Sequence, residues 1–126
     1  MMHIIVYGSP RTKKNSQRIV NAGGFHRIMP SKAYDEWLRE CVRQLRHTDT
    51  HIEQPVNVKC LFYMSTKRRV DLVNLLEAVD DMLQDKRIDI IADDNCSIVA
   101  GHDGSRVLYD KSNPRVEIRI TPMSML

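Results

Sequence analysis

Cysteine is scarce in this chain of 126 residues, and its three copies, Cys41, Cys60 and Cys96, are widely separated and free of any CxxC spacing. Small secreted folds lean on paired cysteines, and zinc sites on closely spaced ones. Neither a disulfide framework nor a zinc centre is therefore expected, and the three read as buried, reduced thiols. Histidine has no pattern either: His3, His26, His47, His51 and His102 are scattered, and no Ser-His-Asp or Cys-His arrangement can be assembled. No apolar run approaches the roughly 20 residues that span a bilayer. The opening Met1-Met2-His3-Ile4 lacks the charged, apolar and small-residue order of a signal peptide. Cytoplasmic residence is the expectation, with no membrane partner and no small-molecule cofactor. The composition, 42% hydrophobic and 28% charged, suits one soluble domain over residues 1–126. No repeat, linker or low-complexity stretch divides it.

Acid is missing where it would be least expected. No aspartate or glutamate precedes Asp35, while Arg11, Lys13, Lys14, Arg18, Arg27 and Lys32 all fall in that stretch. The chain is basic overall, with a formal net charge of +3, yet Asp71, Glu77, Asp80, Asp81, Asp85, Asp89, Asp93 and Asp94 crowd between Val70 and Asn95, directly after Lys67-Arg68-Arg69. Basic side chains attract a polyanion over long range. Grouped carboxylates repel it unless divalent cations occupy them and bridge to its phosphates. Such segregation suits a magnesium-dependent enzyme acting on a phosphate backbone. A helix with an acidic solvated face would show the same composition.

Local pattern supplies the elements. His3–Tyr7 is an apolar β-rich run closed by Gly8-Ser9-Pro10, and a basic loop follows. Asn21-Ala22-Gly23-Gly24 separates Gln17–Val20 from Phe25–Met29 as a hairpin turn would, which places Arg27 near the basic loop. Pro30-Ser31 then opens a helix with Ser31 as N-cap, because Tyr34, Trp37, Leu38, Cys41, Val42 and Leu45 recur on one helical face. Trp37 on that stripe reads as core rather than as a base-stacking residue. From Val56 to Met64 the period changes to two, and Val116, Ile118 and Ile120 alternate with polar residues near the end. Ser97–Ala100 gives another short apolar segment, and Asp103-Gly104 and Ser112-Asn113-Pro114 mark turns. The expected fold is α+β, a small mixed β-sheet with two main helices packed on one face.

The second helix should run from Asp71 to about Asp85, because Leu72, Leu75, Leu76, Ala78, Val79, Met82 and Leu83 form one apolar arc. Asn74, Glu77 and Asp81 share the opposite arc. Asp71 at the start is explained by capping alone, since an acid is favoured there by the helix dipole. Glu77 and Asp81 form a like-charge i, i+4 pair that costs about 0.2–0.5 kcal/mol, a penalty removed if a cation sits between them. Asp93-Asp94 precedes the apolar segment that begins at Cys96, where a loop or strand end could fold back over the start of the helix.

The run Lys67-Arg68-Arg69-Val70-Asp71-Leu72-Val73-Asn74-Leu75-Leu76-Glu77, with Asp81 and then Asp93-Asp94, resembles the RusA family of Holliday-junction resolvases. In that family a basic run leads into Asp-x-Asp-Asn-Leu at the head of a helix, another aspartate follows, and an Asp-Asp pair completes an acidic site for magnesium. Lys13-Lys14-Asn15 looks like the family's polar loop after the first strand. By position, Asp71 takes the place of the first motif aspartate, Asn74 that of the asparagine, Asp81 that of the helix aspartate and Asp94 that of the second acid of the pair. Val73 stands where a second aspartate is usual and Glu77 where lysine is common. This pattern resembles a branch frequent in phages and prophages. Glu77 lies one turn beyond Val73 on the polar arc, so its longer side chain could restore the missing carboxylate.

The resemblance implies a crossover junction endodeoxyribonuclease that serves DNA recombination and repair. In it Asp71 and Asp94 act in catalysis, and Glu77 is expected to join them in place of the missing aspartate. Asp71, Glu77, Asp81 and Asp94 hold Mg²⁺, with Mn²⁺ as a substitute. Arg11, Lys13, Lys14, Asn15, Arg18, Lys67, Arg68 and Arg69 position the DNA. A four-way junction has two-fold symmetry, so a homodimer is expected. Two other classes fit the same residues: a catalytically inactive branched-DNA-binding protein, for which Val73 is the telling loss, and a structural or regulatory domain whose acids and bases pair with each other.

Overall fold

A period-two strand with both edges paired becomes the middle of a sheet, and Val56–Met64 takes that place. The computed structural model describes residues 2–13, 18–29, 31–46 and 49–125, with backbone alone for 18–22, 25–29 and 125. In chain order the elements are β1 (Met2–Tyr7), β2 (Arg18–Ala22), β3 (Phe25–Met29), α1 (Lys32–Leu45), β4 (Val56–Met64), α2 (Leu72–Gln84), β5 (Val99–Gly101), β6 (Arg106–Tyr109) and β7 (Arg115–Pro122). A 3₁₀ turn at Met123–Met125 ends the described chain. The main sheet has five strands in the order β1-β7-β4-β5, and β6 also pairs with β4. β7 is antiparallel to both neighbours, whereas β5 and β6 run parallel to β4, so the sheet is mixed.

Register explains the single core. Ile4 faces Ile118, which faces Cys60, and Val6 faces Val116, which faces Phe62. All six are buried and lie on one side of the pleat. The other side is polar: Arg115 lays its guanidinium 3.9 Å from the centre of the Tyr63 ring and bonds Glu117 at 2.7 Å and Asp110 at 2.9 Å. The apolar stripes of both helices, Tyr34, Trp37 and Cys41 from α1 and Leu75, Val79, Met82 and Leu83 from α2, join the same buried cluster. Both helices therefore cover one face of the sheet, as the amphipathic patterns require. Ser31 is the N-cap of α1, its hydroxyl accepting from the Tyr34 N–H at 3.1 Å. Trp37 is core, at 5% exposure.

β2 and β3 form a separate two-stranded hairpin. Gly23 (φ 59°) and Gly24 (φ 82°) both sit in the left-handed region, the backbone of a two-residue hairpin turn. The expected proximity of Arg27 to the basic loop concerns a side chain outside the described residues. Two expectations change. Cys41 and Cys60 are buried free thiols, but Cys96 is exposed, because it lies in the irregular connection between α2 and β5 rather than on a packed element. β6, short and mostly exposed, was not marked by the sequence and exists because β4 offers it an edge. Among the described residues no helix is long and apolar enough to cross a membrane.

Candidate functional site: an acidic helix face and a basic cleft

α2 carries the acids in two places. Asp71 is its N-cap, accepting from the Val73 N–H at 2.9 Å, and is exposed. Asp81 lies ten residues further on, and at 1.5 Å of rise per residue the two are about 15 Å apart along the axis. Asp81 accepts from the Lys13 ammonium at 2.8 Å through one oxygen and from the Gln84 amide at 3.2 Å through the other. Lys13 also stands 5.8 Å from the centre of the Tyr34 ring, so the loop after β1 is fastened across both helices.

Asp94 folds back onto this end of α2 rather than over the helix start, the place expected from the sequence, because the connection after α2 returns beside the last turn. Partial burial, a hydrogen bond with Asp93 and the charge of Asp81 raise its pKa, and a hydrogen bond from Gln84 works against that rise. Gln84 therefore links Asp81 and Asp94, two carboxylates close enough to repel. Asp93 is shifted the other way, because its carboxylate accepts from the Asp94 N–H at 2.7 Å. Glu77 sits one helical turn before Asp81 on the same half-exposed face. Val73, one turn earlier again, is 67% exposed, as a polar residue would be at that position.

Behind this face lies a pair that the sequence did not single out. Asp80 is 9% exposed, and one of its oxygens is 2.9 Å from His102 Nε2. His102 Nδ1 donates to the Val58 carbonyl at 2.8 Å. The reason is a gap in the sheet: β5 pairs with the start of β4 and β6 with its end, so the connection 102–105 passes the middle of β4 and supplies side chains where a strand would supply backbone. Ser105 Oγ accepts from the Cys60 N–H at 3.0 Å in the same gap. The second Asp80 oxygen, Oδ1, is buried and has no hydrogen-bond partner among the described residues. Burial raises the Asp80 pKa, the bond and charge of His102 pull it down, and the charges of Asp94 and Asp81 push it up further; the net shift is upward. Burial opposes protonation of His102, but the bond and charge of Asp80 outweigh it and raise its pKa. An acid at the border of the apolar arc was the available signal for Asp80. Nothing in the sequence marked His102.

The basic residues are divided as well. Arg11, Arg68 and Arg69 line a cleft of about 600 Å³ between the loop after β1, the first turn of α1 and the β4–α2 connection. Ser9, Thr12 and Ser65 add hydroxyls to it. Lys67 instead stands over the Tyr109 ring, 5.1 Å from its centre. Arg18 opens β2, described in backbone only, and Lys14 and Asn15 lie outside the described residues.

The expected metal set thus separates within one chain. Asp81 and Asp94 come together with Glu77 nearby, and Asp71 stays at the far end of the helix. Among the described residues no three His, Cys, Asp or Glu side chains are grouped to hold a metal ion. Magnesium is commonly bound through only one or two carboxylates together with water and substrate phosphate. The donor chemistry of Asp81 and Asp94 fits that requirement; the four-residue set as a whole does not.

No curated protein gives a significant match to this sequence. The family model described as Endodeoxyribonuclease RusA matches residues 8–121, which takes in both the acidic face and the basic cleft. The chain belongs to the RusA endodeoxyribonuclease family.

Proposed function

We propose that this chain is a magnesium-dependent endodeoxyribonuclease that resolves four-way DNA junctions by paired phosphodiester hydrolysis, in recombination and repair of cytoplasmic DNA in a phage or prophage setting. The observation that carries the reading is the return of Asp94 onto the Asp81–Gln84 end of α2, on a protein in which Arg11, Arg68 and Arg69 line a separate cleft beside the helix start. Among the described residues Lys13 balances Asp81, while Arg11, Arg68 and Arg69 line the cleft.

Asp94 and Asp81 would hold the ion, with Glu77 as the next carboxylate along the helix. When bound, magnesium supplies Lewis acidity toward the phosphate and its water nucleophile. The chain supplies the rest. Arg11, Arg68 and Arg69 bind the backbone on either side of the cut, and Gln84 orients the two acids. Lys13 balances the charge of Asp81 and would be available to a phosphate oxygen if an ion were held there. Asp71 is too far along the helix to share an ion with Asp94 of its own chain. In this reading it completes the site across a homodimer, whose two-fold symmetry also suits the paired nicks.

A synthetic four-way junction incubated beside linear duplex, with and without Mg²⁺, tests the proposal. Paired nicking of the junction alone, abolished by EDTA, is the expected result. The exposed Val73 favours a second reading, a branched-DNA-binding protein that has lost catalysis. Tight junction binding in EDTA with no nicking on addition of Mg²⁺ would select it.

A further inference from the structure

We propose that the basic cleft receives an unpaired nucleotide drawn out of the duplex at the branch point, its phosphates held by Arg11, Arg68 and Arg69 and its base lodged against an apolar floor; this rests on the reading of the chain as a DNA enzyme. The cleft has the size of a small-molecule site rather than of a surface groove: about 600 Å³ falls inside the usual range of about 300–1,000 Å³. A phosphate alone would leave most of that space empty.

The lining decides the class of ligand. None of the described residues around the cleft is acidic, and three are arginines. A smaller neighbouring cavity shares Arg11 but is bordered by Glu36 and Glu40, which would turn an anion away. The cleft is not uniformly polar, however. Pro10, Met64, Val70 and Leu75 also line it, and Leu75 is only 1% exposed, so part of the lining belongs to the hydrophobic core. A phosphate-binding groove on regular duplex has no use for such a lining, whereas a base removed from its stack needs apolar surface to offset the stacking it lost. Arginine guanidinium planes at the mouth can cover the exposed face of the base as well as pair with phosphate. Asp71 immediately follows Val70, so a nucleotide seated here would hold the strand beside the start of α2. Extrusion is easiest where pairing is already interrupted, which is the property that distinguishes a junction from linear DNA.

The test uses the full-length protein in EDTA with a four-way junction carrying 2-aminopurine next to the branch point, whose fluorescence increases when the base leaves its stack. A several-fold rise on binding the junction, and none on linear duplex with the same label, is expected. Ala33→Met on α1 and Thr66→Leu on the β4–α2 connection reduce the cleft without altering charge, so each should cut the rise at least fivefold while affinity for linear duplex at low salt stays within about twofold. Two variants are used because either substitution alone could disturb the fold. Absence of a rise with the wild type, or a full rise in both folded variants, overturns the proposal. The same samples supplied with Mg²⁺ separate it from the catalytic reading. Extrusion without nicking refutes catalysis and leaves this inference standing, and nicking without extrusion does the reverse.

Discussion

Asp94 and Asp93 are adjacent in sequence and differ in what they touch: Asp93 caps its neighbour's N–H, and Asp94 meets Gln84 and the charge of Asp81. Asp94→Asn should therefore lower Mg²⁺-dependent nicking at least about 100-fold, beyond the about 10–100-fold typical of losing an outer-sphere partner. Junction binding in EDTA should be retained or improved, as gel-shift titration would show. Glu77→Gln should also reduce cleavage, and undiminished activity would remove Glu77 from the site. The Asp80–His102 pair makes a separate prediction about folding. Both groups bind their protons more tightly in the folded state than their ordinary values of 3.8 and 6.5 imply. The folded protein then holds more protons than the unfolded one, so stability must fall as pH rises through the folded pKa of His102. Melting temperature should decline as pH rises above the ordinary histidine value of 6.5, and His102→Gln should flatten that slope.

α2 is the element on which structure and chemistry are hardest to separate, because Asp71 caps it. Asp71→Ala should cost about 0.5–2 kcal/mol of stability, whereas Asp71→Asn keeps a capping oxygen and should be nearly neutral. If Asp71 also belongs to the acidic site, thermal melts will distinguish the two variants while both lose cleavage. This helix was readable in advance, as were α1 and β4, since each buries one stripe and exposes the other, and that periodicity is written locally. The hairpin turn was equally legible from Gly23-Gly24. β6 was not, because Arg106-Val107-Leu108-Tyr109 owes its strand conformation to the free edge of β4 some forty residues away in sequence. The same holds for His102: its place over Asp80 follows from the gap between β5 and β6, a property of the sheet and not of any motif. The acid residues could be named from the sequence, but only the folded chain separates Asp71 from Asp81 and Asp94.

At the scale of the whole molecule, the division of charge between the acidic face and the arginine cleft predicts how DNA binding responds to salt. Replacing Arg11, Arg68 and Arg69 together by alanine should reduce the slope of log affinity against log salt by about one unit per arginine. Assembly can be probed by mixing inactive variants. If Asp71 of one protomer serves the acids of the other, Asp71→Asn and Asp94→Asn proteins, each inert alone, should regain nicking of one strand when co-assembled. Failure to do so in verified heterodimers would return Asp71 to a capping role. The central claim, that the Asp81–Asp94 face is where DNA is cut, is met most directly by comparing wild type and Asp94→Asn on a four-way junction at saturating protein with Mg²⁺ present. Paired nicks from the wild type and none from a variant that still binds the junction is the predicted outcome; equal cutting by the two would contradict it.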